Sequence, residues 1–235
     1  MKILSLDTSA TVASVAIADG ATPLAEYTLN AKNTHSETLL PMIEAALGAL
    51  SLTVSDIDLF ALSAGPGSFT GVRIGAATVK GLAFASSKPC VEVSTLEALA
   101  QNLVIKEGLI CPVMNARRSQ VYTALFKSDG KALTRLMPDS ALSIDELDEL
   151  LSQYGEPIAL VGDGYDICEK GFSKSTLCYV PEAMRLQSAL SVAAVALKKY
   201  ESGEIATDSS LSVNYLRPSQ AERERAEREA AKGNS

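Results

Sequence analysis

One layout occurs twice in this chain. Lys2–Leu6 is a short apolar run that ends at Asp7, and a polar turn follows over Thr8-Ser9-Ala10-Thr11. Val12–Ala18 reads as a second strand, Asp19-Gly20 as a hairpin turn and Pro23–Leu29 as a third strand. Later, Leu109–Met114 ends at Asn115, a polar turn covers Ala116-Arg117-Arg118-Ser119, Gln120–Lys127 is a strand, Asp129-Gly130 a turn and Ala132–Met137 a third strand. A unit repeated this way is read as a duplication, which narrows the chain to two related lobes.

Each meander leads into helix–strand alternation. In the first half, Asn33 or Thr34 caps a helix, and Thr34-His35-Ser36-Glu37 fits a capping box. Leu39, Leu40, Met42, Ile43, Ala46, Leu47 and Leu50 recur at helical spacing. Pro41 interrupts that pattern; an interior proline costs about 3 kcal/mol, so a kink or a late helix start is expected. Asp58–Ala64 is a strand, Thr70–Ser86 a helix, Cys90–Val93 a strand, and Ser94 or Thr95 caps a helix through Val104. In the second half, Ser143–Tyr154 is a helix, Ile158–Val161 a strand closed by Gly162-Asp163-Gly164, Gln187–Ser202 a helix and Leu211–Leu216 a late strand. Residues 219–232 read as a charged helix without an apolar face. The fold class predicted is α/β, an actin-like (ASKHA) duplicated two-lobe fold, each lobe a strand meander followed by β-α alternation. The lobes span 1–103 and 104–204, followed by 205–235 with the late strand and charged helix, and a cleft separates the lobes.

Composition bounds the function. The net charge is −7, which argues against this subunit gripping nucleic acid alone. No run of 18 apolar residues occurs, so no membrane span is expected, and MKILSLDTSA reaches Asp7 too early for a signal peptide. Cys90, Cys111, Cys168 and Cys178 form no C-x-x-C pair; buried thiols in a reducing compartment, the cytoplasm, are the expectation.

The stretch AGPGSFTGVRIG, Ala64–Gly75, poses the functional question. It lacks the lysine and spacing of a Walker loop and has one residue too many for a dinucleotide fingerprint. The amides of Ser68–Gly71 could form an anion nest at a helix start. Alternatively, Gly71 and Gly75 share a helix face, and Ala77, Gly81 and Ala85 make a second small stripe, so that another helix can approach closely. Interior helix glycines cost about 1 kcal/mol against alanine, and Gly71, Gly75 and Gly81 need a reason.

GPGSFTGVRIG followed by AATVKGLA resembles the signature of the TsaB (YeaZ) family. Leu4–Ser9 resembles its I-D-T-S opening, His35–Ile43 its H-S-x-x-L-L-P-x-I helix, Ala116-Arg117-Arg118 with Val121-Tyr122 its D-A-R-R-x-x-V-Y, and Asn214–Arg217 its late Y-L-R. Asn115 departs from the usual Asp of that motif and puts in doubt any role for a carboxylate there. The resemblance implies a non-catalytic subunit that pairs with a TsaD-type transferase, and with a TsaE-type ATPase, in forming N6-threonylcarbamoyladenosine in tRNAs reading codons that start with A. It also implies homodimers and heteromers built through first-lobe helices. No cofactor is expected in this chain; ATP and metal are expected on the partner subunits, and tRNA is met only through the complex. The catalytic relative carries H-x-E-x-H where this chain has Thr95-Leu96-Glu97-Ala98-Leu99, and a chain with one histidine cannot build a two-histidine metal site.

The partner interface is accordingly expected at His35, Ser36, Leu39, Met42, Ile43, Ala46, Ser68, Phe69, Gly71, Val72, Gly75, Val79 and Leu82. A vestigial nucleotide cleft is expected at Asp7, Thr8, Ser9, Asn115, Arg117, Gly162 and Gly164. Asp7 reads either as a phosphate-site aspartate or as a turn former bonding its own backbone. Arg117 and Arg118 read as a solvated turn or as contacts to phosphate or carboxylate. No catalytic residue and no metal ligand is assigned. The alternatives are an actin-like-fold ATP-dependent kinase or ATPase using Asp7, Thr8 and Gly164, and a metallopeptidase.

Overall fold

The structure, a computed structural model that describes residues 1–31 and 34–217, runs through one order of elements twice. The first pass is β1 (Lys2–Asp7), β2 (Ala13–Asp19), β3 (Thr22–Leu29), α1 (His35–Ala49), β4 (Leu59–Ser63), α2 (Phe69–Ser86), β5 (Cys90–Val93) and α3 (Thr95–Gln101). The second is β6 (Gly108–Asn115), β7 (Gln120–Ser128), β8 (Leu133–Ser143), α4 (Ile144–Ser152), β9 (Ile158–Val161), α5 (Tyr165–Gly171), β10 (Leu177–Cys178) and α6 (Ala189–Glu201). Each pass builds a five-stranded sheet, ordered β3-β2-β1-β4-β5 and β8-β7-β6-β9-β10. In both, the meander is antiparallel and the later strands are parallel to the first. This is the duplicated actin-like two-lobe fold.

Burial explains the strand compositions. β1 and β4 are central and covered on both faces, so KILSLD and LFALS are nearly continuously buried. β3 lies at an edge and is mostly exposed, and Pro23 and Glu26 blunt it against further pairing. On one face of the first sheet, Leu39, Ile43 and Ala46 of α1 and Ala76, Val79 and Ala83 of α2 close over Leu4, Leu6, Phe60 and Leu62. On the other, Val192, Ala193, Val195 and Ala196 of α6 pack on Ile3, Leu59, Ala61 and Val91. The second core joins Leu96, Leu99 and Leu103 to Leu109, Val113, Phe126, Leu147, Leu160 and Cys168.

The last helix of each pass therefore covers the other pass's sheet. A boundary at 103/104 separates the strands of the two sheets but assigns α3 and α6 to the sheets they do not pack on. The apolar residues of a helix can be read from sequence; the sheet that receives them cannot.

Several local expectations need correction. Thr34 is the N-cap of α1 but makes no side-chain cap bond, so the capping box does not form. Asn33 lies outside the described residues. The helix begins at His35 and carries Pro41 inside, with no late start. The carbonyl deprived of its amide belongs to Glu37, which is exposed, as is Pro41, so water can satisfy it. The late strand does not form: residues 211–216 join no ladder, and the sheet pairing before them is a single bridge between Cys90 and Ala206. α5 and β10 had no counterpart in the sequence reading. The charged helix at 219–232 lies outside the described residues. No helix among the described residues is long and apolar enough to cross a membrane.

Candidate functional site

The carboxyl ends of β1 and β4 face those of β6 and β9 across a cleft of about 710 Å³. Ser9, Ala10, Gly67, Ser68, Asn115, Arg117, Asp163 and Arg217 are among its walls. Strand ends are where open α/β sheets bind ligands, because their backbone groups and following turns converge there.

The β1–β2 turn is tied down from every side. Asp7 is buried and accepts from the Ser9 amide (2.9 Å), the Ser9 hydroxyl (2.6 Å) and the Ser63 hydroxyl (2.5 Å). Burial raises its pKa above the ordinary carboxylate value, against the lowering effect of these donors and of nearby His35. The Thr8 hydroxyl donates to the Gly71 carbonyl (2.8 Å), and the Ser68 amide donates to the Ser9 carbonyl (2.6 Å). His35 Nε2 donates to the Ala10 carbonyl (2.7 Å), which fixes a proton on that nitrogen.

Gly67 ahead of α2 and Gly71 and Gly75 within it serve this turn. A Cβ on Gly67 would lie 2.5 Å from the Ser9 carbonyl oxygen, one on Gly71 would overlap the Thr8 carbonyl oxygen, and one on Gly75 would lie 2.5 Å from Thr8 Oγ1. Close approach is their reason, but the neighbour is the chain's own turn, which corrects the expectation that Gly71 and Gly75 face a partner. Gly81 differs: nothing lies within 4 Å of its Cβ position, and it is exposed. Two of the four amides of the expected anion nest are taken by internal bonds, since Ser68 donates to Ser9 and Gly71 donates to the Ser68 hydroxyl (3.3 Å).

Across the cleft, the Asn115 amide donates to Asp163 Oδ1 (3.1 Å) and its Oδ1 accepts from the Arg117 amide (2.8 Å). Asp163 lines the cleft; desolvation by the walls raises its pKa, the Asn115 amide bond works against the rise, and the like charge of Asp7 adds to it. Arg117, Arg118 and Ser119 all have positive φ, 63°, 55° and 56°. Gly162 (φ 114°) and Gly164 press against the Val113 carbonyl, and a Cβ at Gly164 would lie 3.0 Å from that oxygen, so close backbone approach is a reason for both glycines.

Residues 211–217 strap the cleft mouth. Leu211 is buried in the first core, the Asn214 amide donates to the Ala64 carbonyl (2.7 Å), and Tyr215 stacks on Phe69 at 4.8 Å between centroids. Arg73 stands 3.8 Å over the Phe69 ring and donates from Nε to the Tyr215 hydroxyl (2.7 Å). Arg217 Nη1 donates to the Ala116 carbonyl (3.5 Å), reaching the second lobe. The sequence reading missed Arg73 and Tyr215 as partners; the late Y-L-R string was the only signal.

The expected partner face divides. Leu39, Ile43, Ala46, Val72 and Val79 lie in the core, and Met42 and Leu82 are half-buried against it. Ser36 and Ser68 are exposed, while His35 and Phe69 are half-buried in the contacts above. The outward residues are instead Leu40, Pro41, Ala45 and Gly48 on α1 and Ala77, Gly81, Phe84 and Ala85 on α2, with Phe84 74% exposed. Among the described residues no three His, Cys, Asp or Glu side chains come together as a metal site would require.

Comparison with known proteins places this geometry. The family model "TsaD: tRNA N6-adenosine threonylcarbamoyltransferase" matches residues 24–227. The tRNA threonylcarbamoyladenosine biosynthesis protein TsaB of Bacillus subtilis (strain 168) is 35% identical over 162 residues, covering 69% of this chain and 71% of that one. The protein of the same name from Escherichia coli (strain K12) is 33% identical over 168 residues, covering 70% and 72%. Among solved structures, a Pseudomonas aeruginosa protein described as similar to peptidase YeaZ superposes with a TM-score of 0.80 at 26% identity, over 92% of this chain and 99% of that one. YeaZ from Pseudomonas aeruginosa superposes with a TM-score of 0.76 at 25% identity, with the same coverage. Duplicated sheets, the glycine-bound turn and these relatives agree: the chain belongs to the TsaB (YeaZ) family and is a tRNA threonylcarbamoyladenosine biosynthesis protein.

Proposed function

We propose that this chain is a non-catalytic subunit that holds a TsaD-type transferase, working with a TsaE-type ATPase, in the arrangement that forms N6-threonylcarbamoyladenosine in tRNAs reading codons that start with A. The single observation that carries the reading is the outer face of α1 and α2. Leu40 and Phe84 stand exposed there among small residues, and Gly81 has no neighbour in its own lobe that requires a glycine. Small residues let a second helical face lie close, and an exposed aromatic supplies the apolar area such a contact buries.

The same face serves a homodimer when the transferase is absent, so the two assemblies compete for one surface. The chain brings no cofactor of its own; ATP and metal belong to the partner subunits. Its thiols, unpaired and mostly buried, suit a reducing cytoplasm. The test is reconstitution: tRNA threonylcarbamoylation by the transferase and ATPase is measured with and without this chain. The reading expects strong dependence on it. Equal product in its absence overturns the reading.

A further inference from the structure

Six arginines fall among the described residues, and they divide into two groups. Arg135 pairs with Glu97 and Asp139, and Arg185 pairs with Asp166. The other four, Arg73, Arg117, Arg118 and Arg217, have no carboxylate among the described residues within 4.0 Å. Three of them stand at the mouth of the interlobe cleft, and the fourth, Arg118, follows in the same turn as Arg117. Arg117 and Arg217 line the cleft, and Arg73 is bound to Phe69 and Tyr215, which also line it. Arg73, Arg117 and Arg118 are exposed. In a chain of net charge −7, like-charged guanidiniums collected in one place with no carboxylate at ion-pair distance form a local positive field that the total hides.

The cleft beneath has the opposite sign. Asp163 lines it, and Asp7 lies buried under Ser9. A triphosphate pushed inward would meet those carboxylates, whereas phosphates spread along the rim would meet guanidiniums that no carboxylate pairs. The rim also interleaves guanidinium with aromatic rings: Arg73 lies over Phe69, and Tyr215 beside it is 38% exposed. Arginine forks with an accessible ring suit RNA, whose phosphates take bidentate bonds and whose bases stack.

We propose that this arginine rim binds the phosphodiester backbone of RNA, so that tRNA in the assembly touches this chain directly. The proposal rests on the function proposed above, which makes tRNA the RNA at hand. The rim spans both lobes and the strap, and Arg73 stands one helical turn before Ala77, where it meets the outward face of α2.

The test is fluorescence anisotropy with labelled tRNA, on the full chain alone and on its complex with the transferase, at low and moderate salt. Arg117→Gln/Arg118→Gln and, separately, Arg217→Gln remove rim charge; Lys198→Gln/Lys199→Gln removes charge from α6 as a control. The double rim variant should weaken tRNA binding about tenfold and lower the slope of log affinity on log salt by about 2, and the control should not. Inorganic triphosphate and ATP should fail to displace tRNA at concentrations that leave ionic strength unchanged. Equal tRNA affinity in rim variants and wild type overturns the proposal. So does displacement by equimolar triphosphate, which would make the rim a mononucleotide site. Loss of the protein partner with RNA affinity intact would make it a protein-docking surface and likewise overturn it. Complex mass is read in the same samples, so failure of pairing, which would sink the preceding reading, is seen separately from failure to bind RNA.

Discussion

Thr8 and Gly71 are locked together: the Thr8 hydroxyl donates to the Gly71 carbonyl at 2.8 Å, while the Thr8 carbonyl occupies the space a Gly71 side chain would need. The turn after β1 and the first turn of α2 thus hold each other at a separation only glycine allows. In an actin-like fold this turn borders the cleft; here its polar groups bond to the chain itself.

Gly71→Ala should therefore destabilise the protein by about 2–3 kcal/mol, because the obstructing atom is backbone and cannot rotate away. Gly81→Ala, at an open helix position, should stabilise by about 0.5–1 kcal/mol. Urea unfolding of both variants checks the contrast; equal effects would remove the distinction between the two glycines.

Pairing should depend on the outward residues. Phe84→Glu and Gly81→Leu should abolish association with the transferase, and with a second copy, without loss of folding: Phe84→Glu should leave stability within about 0.5 kcal/mol of wild type, and Gly81→Leu should raise it by about 0.5–1 kcal/mol, as a better helix former at an open position does. Sedimentation together with unfolding separates this outcome from misfolding. Retained association in both variants would place the contact elsewhere.

Asp7 should make stability fall with rising pH. Its folded pKa lies above the ordinary carboxylate value, chiefly through burial, so the folded state holds the proton more tightly than the unfolded chain. The stabilisation from that group is complete below the ordinary value and is lost as pH rises through the folded pKa. Asp7→Asn retains an acceptor for Ser9 and offers a donor to Ser63, so it should lack this decline. Thermal melts between about pH 4 and about pH 8 should show the variant gaining on wild type. A constant difference across the range would contradict the burial argument.

The strap should come loose without its aromatic clasp. Tyr215→Ala removes the stack on Phe69 and the hydroxyl that accepts from Arg73. Amide exchange at Asn214 should accelerate about tenfold or more, as expected for local opening made easier by over 1 kcal/mol, with exchange in β1 unchanged. Unaltered protection at Asn214 would show that the strap is held by its other anchors.

Strands could be read from the chain because each is a short apolar run bounded by a turn; β5 and β9 fall at their expected residues. That Gly71 and Gly75 permit close approach was also legible, but not what approaches, since Thr8 lies 63 residues before Gly71 and nothing local connects them. α5 escaped because its seven residues hold too few turns for a period to show. Arg73 and Tyr215 are separated by 142 positions, so their bond exists only in the folded chain. Asp148 illustrates the same limit: it is buried and accepts from the amides of Ser173, Lys174 and Ser175, partners 25 to 27 positions away that only the folded chain supplies.

The crossing of α3 and α6 makes the two repeats mutually dependent. Cleaving the peptide between residues 103 and 108 would give one piece whose sheet lacks α6 and another whose sheet lacks α3, each with an apolar face turned to water. Neither piece is a self-sufficient module. Produced together as separate chains, they should reassociate by restoring each other's missing roof, so that a molecule descended from two copies of one unit can no longer be dismantled into them.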